Sequence, residues 1–399
     1  MTISKIAISL SLLLAITTQA FADTQPQDTT PTESTSLSKS EIRTYRRDSI
    51  RANKKVWRSI LGGPSYTPEA SAGVAAAVLM SFRMNESDTI SQRSFLPMGV
   101  NASINGTVVV AGNGTLFFNE NQFRIYTNYG VRNEPTNFYG VGFSEIDATP
   151  RGDETTLFDK TNVYFNTKSV WEVCPYLYMG AITDINFSSS RNLNPVMAAN
   201  AYVNKYSLRY TNIGVGGIVQ YDSRDDVATP NSGLLLSATG KVFSRAIGGS
   251  YNYQLVDLEY RQFQPLFQRA ILAWVARTQI SYGDVPFTEL PMFGSPFDLR
   301  GYYWGQYRDK SMGYGIVEFR HMLGSKEDYQ RGRAISKFGY VAWVGAGTLG
   351  TTPKDWDEWK LNYGFGLRAQ LQPRKNVRID FGKGVGGGWL TYFNMTEAF

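Results

Sequence analysis

The chain has very little cysteine or histidine: 399 residues contain one of each, Cys174 and His321. A single cysteine excludes an internal disulfide. A single histidine excludes sites built on two or three imidazoles, which removes most zinc enzymes. It leaves His321 as the one conceivable imidazole base, and no Gly-x-Ser-x-Gly elbow accompanies it. We find no phosphate-cradling glycine loop, no metal-ligand spacing and no cofactor pattern. Neither cofactor, metal nor catalysis is therefore expected. His321, at a strand end beside Arg320, reads as an interface or lumen residue. Cys174, by parity with Glu172, Tyr176 and Tyr178, reads as a small inward-facing buried residue.

Long apolar runs are also scarce. The one candidate is N-terminal: Lys5, then Ile6 to Ile16, then Ala20-Phe21-Ala22 before Asp23. This pattern is that of a secretory signal peptide over residues 1–22, too short in its apolar part to span a bilayer. Beyond it no run could form a membrane helix. An exported chain without disulfides or membrane helices is either a soluble β protein or an outer-membrane barrel. The net charge of +6 fits anionic lipid or a polar lumen, and an exported chain gives no reason to expect nucleic acid.

What is present is glycine and aromatic side chains: Gly 38, Tyr 24 and Phe 23. Residues 23 to about 38 are Thr/Ser/Pro-rich and read as a flexible leader. From about residue 39 to 60 the sequence lacks Gly and Pro and carries Arg43, Arg46, Arg47, Arg51, Lys54, Lys55 and Arg58, stopped by Gly62-Gly63-Pro64. That predicts a short basic helix, either on a membrane or partner surface or as a solvated linker. The leader and helix together form a segment 23–62, and the barrel is assigned to 63–399.

From Ser71 the hydrophobic period becomes two. Val74, Val78 and Phe82 alternate with Gly73, Ala75 and Arg83. Phe123, Ile125 and Val131 alternate with Arg124, Asn128 and Arg132. Val256, Leu258 and Tyr260 alternate with Asp257, Glu259 and Arg261. Both signs of charge share the polar faces, as a water-filled lumen would require. Aromatic residues gather near strand ends (Tyr126 and Tyr129, Tyr176 and Tyr178, Trp356 and Trp359), as at membrane interfaces. In the last stretch Trp389, Thr391, Phe393, Met395, Glu397 and Phe399 fall on one face. At roughly 20 residues per strand and connection, the length gives about 16 strands. The expected fold is all-β: a transmembrane antiparallel β-barrel preceded by a short N-terminal helix. Closure would join about Ser71–Met84 to Gly388–Phe399, where Gly386, Gly387 and Gly388 either weaken the start of the last strand or only make a turn.

Three stretches together resemble one family. YDSRDDVATPNSG places Asp222, Arg224, Asp225, Pro230 and Gly233 on an Asp-x-Arg-Asp…Pro…Gly signature. DLRGYYWGQYRD places Arg300, Gly301 and Tyr302 on an Arg-Gly-aromatic loop motif. The closing NVRIDFGKGVGGGWLTYFNMTEAF is similar to a final barrel hairpin, with Phe393, Met395 and Phe399 as a C-terminal barrel signal and Glu397 as a departure from it. These are marks of the bacterial surface antigen family, the BamA/TamA superfamily of outer-membrane assembly and translocation barrels. The resemblance runs from about Val219 to Phe399. It implies a site in the bacterial outer membrane and contact with its lipid. It also implies insertion or translocation of nascent outer-membrane proteins or lipids, with envelope-complex subunits as further partners. The alternative is a passive, porin-like or structural barrel. It implies, too, that the Arg300 loop folds into the lumen and pairs with Glu318, a latch of Arg300, Gly301, Tyr302 and Glu318. The family's second acid is missing where Val344 or Gly345 stands, with Asp380 as another inward candidate. Asp222, Asp225 and Asp226 could hold calcium, but the resemblance gives them a turn. Segment 23–62 leaves no room for a periplasmic POTRA domain, so the resemblance covers the barrel alone.

Overall fold

The computed structural model describes residues 56–67, 71–88, 90–150, 156–372, 374–394 and 396–399. The expected signal peptide and leader, and most of the expected helix, lie outside them. Sixteen strands form one antiparallel sheet. They are β1 (Val56–Thr67), β2 (Ser71–Phe82), β3 (Ser94–Ser103), β4 (Val108–Phe118), β5 (Phe123–Asn137), β6 (Leu157–Cys174), β7 (Leu177–Arg191) and β8 (Arg209–Asp222). They continue as β9 (Gly233–Phe243), β10 (Tyr253–Pro265), β11 (Ala270–Gly283), β14 (Ser311–Met322), β15 (Phe338–Gly350), β16 (Lys360–Gln372), β17 (Lys375–Gly384) and β18 (Trp389–Asn394). Each pairs with its neighbour in chain order. The one interruption is between β11 and β14, where β12 (Met292–Phe293) and β13 (Tyr307–Arg308) form a small hairpin stem of their own.

The two faces of this sheet have the polarity of a membrane barrel. Val110, Val131, Val163, Phe165, Val219, Leu258, Val344 and Leu367 are all at least 40% exposed. On the opposite face Arg124, Asp184, Asp257, Glu318, Arg368 and Asp380 are buried. A soluble sandwich would bury the valines and expose the charges. Apolar-out and polar-in is the arrangement that lipid outside and water inside select.

Connections differ at the two ends. At the end shared by the C-terminal strand, 119–122, 175–176, 266–269 and 373–374 are tight turns, and 83–93, 223–232 and 323–337 are of intermediate length. At the other end lie 138–156, 192–208 and 284–310. Short turns mark the periplasmic side and long loops the outer side. The long loops carry α1 (Phe143–Ala148), α2 (Pro195–Ala199) and α3 (Ala201–Asn204). Phe138, Met197, Val203, Val285, Phe287 and Leu290 from these three connections pack together with Phe243 and Tyr253. This apolar core caps the outer mouth.

Three expectations change. Residues 56–60, assigned to the basic helix, are strand, and Gly62, Gly63 and Pro64 continue it. β1 pairs over its full length with β2, and that tertiary pairing overrides a helical propensity that no apolar stripe supported. Among the described residues the sheet therefore starts at Val56 rather than 63, and its first strand is β1, not the strand starting at Ser71. Cys174 is exposed. A bulge between Glu172 and Cys174 breaks the pairing with β7, and one extra residue reverses the facing of the residues after it. Tyr178, expected in an interface girdle, lies in the lumen with the Arg124 guanidinium 4.0 Å from its ring centre.

Candidate functional site: the lumenal clamp and the seam

The connection 284–310 turns back into the barrel. Its stem is the β12–β13 hairpin, and Asp298 shapes its tip by accepting from Gly294 N (3.0 Å) and Ser295 Oγ (2.8 Å). The tip carries Arg300, which is fully buried. Its Nη1 donates to Asp380 Oδ2 at 2.7 Å and its Nη2 to Glu318 Oε2. The guanidinium lies 3.6 Å from the centre of the Trp343 ring. A planar fork suits this geometry, because it meets two carboxylates in its plane and an aromatic on its face.

The second acid therefore comes from β17. Gly345 faces the lumen where a carboxylate was expected, but a Cβ there would lie 2.6 Å from Asn362 Oδ1. Asn362 uses its amide instead, donating from Nδ2 to Arg300 O at 2.8 Å. From the sequence, Asp380 is only one candidate among inward acids. The parity of β17 is legible there, but its distance from Arg300 is not.

The clamp extends into a network. Asp380 also accepts from Arg368 Nη1 (2.6 Å) and from Arg378 Nη1. Glu318 accepts from Arg320 Nε at 2.6 Å. Arg368 reaches Glu397 at 2.9 Å. All of these side chains are less than a tenth exposed. Charges taken from water require such pairing on every side.

Gly301 and Tyr302 bind the loop to the final strands. Gly301 has φ of +118°, and a Cβ would come within 2.4 Å of Gly384 N; no other residue fits so close an approach. Gly301 N donates to Tyr392 Oη (2.8 Å) on β18, and that hydroxyl donates to Tyr302 O (2.9 Å). Tyr302 Oη donates to Leu361 O on β16 and accepts from Val385 N (3.2 Å). Loop and seam strands are thus one bonded unit.

The Asp-x-Arg-Asp signature sits elsewhere, at the periplasmic end of β8 and β9. Asp222 accepts from Arg124 Nη1 at 2.8 Å and from both Nε (2.8 Å) and Nη2 (3.0 Å) of Arg224. Asp225 and Asp226 accept backbone N–H groups of their own turn: Asn231 N at 2.9 Å and Ala228 N at 2.8 Å. Gly233 has φ of +93° with Ser223 O only 2.2 Å from a Cβ position. Pro230 is buried and, with Arg320, Arg368 and Glu397, lines a cavity of about 40 Å³ between signature turn and clamp. The acids thus hold the turn and each other's arginines.

A profile of the Omp85 superfamily domain matches residues 118–388, more than half of the chain. The protein belongs to the Omp85 superfamily. The structure is similar to that of BamA from Haemophilus ducreyi lacking POTRA domains 1–3. Identity is 13%, with 85% of this chain and 69% of that one covered and a TM-score of 0.52. It also matches CdiB from Acinetobacter baumannii at 13% identity, covering 85% of this chain and 59% of that one, with a TM-score of 0.49. OccK10 (OpdN) of Pseudomonas aeruginosa matches at 10% identity and a TM-score of 0.29, covering 86% of this chain and 95% of that one. A search of curated proteins returned no match. Membership in the Omp85 superfamily makes this a barrel of the bacterial outer membrane, in a family of protein insertion and translocation barrels.

Both motifs, 222–233 and 300–302, lie within the Omp85 match; β1 to β3 and β18 lie wholly outside it, and β4 reaches it only at Phe118. The predicted C-terminal signal departs from expectation there. Phe393 faces outward, 42% exposed, but Phe399 is buried. The Arg320 guanidinium stands 4.8 Å from its ring centre, and the Phe263 ring is 6.3 Å away. Strand β18 ends at Asn394, and the chain then turns inward. The physical reason is Glu397, bound by Arg368 and by Asn376 Nδ2 at 2.9 Å. A carboxylate cannot face lipid at low cost, so it enters the lumen and takes Phe399 with it. Met395 lies outside the described residues. His321 packs against Phe267, Phe319 and Tyr340 at the periplasmic rim, with Nδ1 3.2 Å from Tyr340 Oη.

Proposed function

We propose that this barrel inserts or translocates outer-membrane proteins, or lipids, by offering a strand edge at the seam between β1 and β18. The carrying observation is the mismatch there. β1 has twelve residues and β18 six, and among the described residues no ladder joins them. A strand edge without a partner exposes N–H and C=O groups that hydrocarbon cannot satisfy, so an incoming β-strand gains hydrogen bonds by adding to it. Gly386, with φ of +77°, and its two neighbouring glycines start β18 with little packing to hold it. The work is templating and requires no catalytic group.

The porin-like reading is weakened by the apolar cap at the outer mouth and by the clamped loop inside. In planar bilayers the purified barrel should give small, flickering currents; large steady ones would favour a pore. The decisive experiment is depletion of the protein from its host, followed by surface labelling. Loss of a defined set of outer-membrane proteins or lipids supports insertion. Unchanged surface composition, with retained heat-modifiable folding of the barrel, would overturn it.

A further inference from the structure

The β8–β9 connection, residues 223–232, does not stay beside its own strands. In sheet order β8 and β9 are eighth and ninth, β16 and β17 fourteenth and fifteenth, and β2 and β3 second and third. The turn touches both distant groups. Asp225 pairs with Arg374, and Asp226 with Lys375 at 3.5 Å. Thr229 Oγ1 donates to Arg374 O. Val227 N donates to Gln92 Oε1 at 3.1 Å. Strand ends so far apart around the sheet can share one turn only if it crosses the periplasmic mouth.

The space behind it is wet. Asn128 lies on the same face of β5 as the buried Arg124, and it is exposed. The outer mouth is capped by its apolar core. The turn is therefore the floor of an aqueous chamber.

We propose that turn 223–232 is a hinged gate between this chamber and the periplasm. Its root is fixed, because Asp222 is buried between Arg124 and Arg224. Its body is self-contained, with Asp226 Oδ1 accepting from both Ala228 N and Thr229 N at 2.8 Å. Its outer tether is weak by comparison. The Arg374 and Asp225 side chains are 35% and 32% exposed, so water and salt screen their attraction. Breaking that tether with the Lys375 pair leaves only the Thr229–Arg374 O and Val227–Gln92 hydrogen bonds across the mouth, and it touches neither the barrel wall nor the clamp. The gate involves neither the seam nor a substrate, so its failure and that of the insertion reading can be told apart.

The test uses Asn128→Cys in a Cys174→Ser background, with a charged, membrane-impermeant methanethiosulfonate reagent and the purified barrel in nanodiscs. At low salt the thiol should react slowly. Arg374→Gln with Lys375→Gln should speed it roughly threefold to tenfold, through loss of the exposed Arg374–Asp225 pair and the long, largely buried Lys375–Asp226 pair. About 0.5 M NaCl should speed the parent by less, since it screens chiefly the exposed pair, and the variant little. Equal rates in parent and variant, with no salt effect, would mean that the reagent enters elsewhere and would overturn the gate. Heat-modifiable migration reports folding of each variant, and the salt response of the reporter protein itself is read with the tether residues intact.

Discussion

Asp380, rather than Arg300, should be the residue on which the clamp's stability depends. The buried network holds four arginines (Arg300, Arg320, Arg368, Arg378) against three carboxylates (Glu318, Asp380, Glu397). Asp380 serves three of those arginines. Asp380→Asn removes the charge while keeping the shape. Arg300 then retains Glu318, and Arg368 retains Glu397. Arg378 retains only the Thr396 and Pro296 carbonyls. A buried charge that loses its partner costs about 3–5 kcal/mol. Arg300→Met leaves three arginines against three acids, each still paired. It forfeits two charged hydrogen bonds, about 1.5–3 kcal/mol each, and the stacking on Trp343. Asp380→Asn strips the charge from three such bonds and strands Arg378 as well, so it should be the more damaging by about one such bond, roughly 1.5–3 kcal/mol. Urea unfolding at fixed lipid composition, followed by heat-modifiable migration and fitted at a common m-value, measures both. If Arg300→Met costs as much as Asp380→Asn or more, the reasoning from charge balance is wrong.

Gly345→Asp, which restores an acid on β15, should destabilise the barrel by about 1–3 kcal/mol in the same assay rather than strengthen the clamp, because its Cβ would lie 2.6 Å from Asn362 Oδ1 and 2.9 Å from Gly315 O. Tyr392→Phe should cost about 1–3 kcal/mol by leaving Gly301 N–H without its acceptor, and limited proteolysis should then cut loop 284–310 faster. Asp88, in the β2–β3 turn, has its pKa lowered to about 2 by hydrogen bonds from the Ser91 hydroxyl and backbone N–H. Its folded-state pKa is depressed, so its contribution is present above about pH 4 and lost as pH falls toward about 2. The difference in stability between the parent protein and Asp88→Asn should shrink across that window; a constant difference would show that Asp88 is not held as described.

The strand rhythm from Ser71 onward was legible because period two repeats wherever one face meets lipid and the other meets water. Val131 beside Arg132 and Leu258 beside Asp257 each carry that message locally. β1 was not legible. Val56–Thr67 has glycines, a proline and basic residues just before it, and only the ladder to β2 makes it a strand. The Arg300 loop could be recognised from its motif, and Glu318 from the strand after it. Asp380 sits 80 residues from Arg300, and no local pattern encodes such a separation.

By itself, the sequence determined the class of environment: alternation fixes which side chains meet hydrocarbon, and one cysteine and one histidine limit the chemistry available. Only the tertiary structure decided which charges neutralise one another, that Glu397 draws Phe399 into the lumen, and that turn 223–232 crosses the mouth. Facing is set residue by residue along a strand. Pairing across a lumen depends on curvature and on the count of strands between two residues, quantities that belong to the whole wall and not to any segment of it.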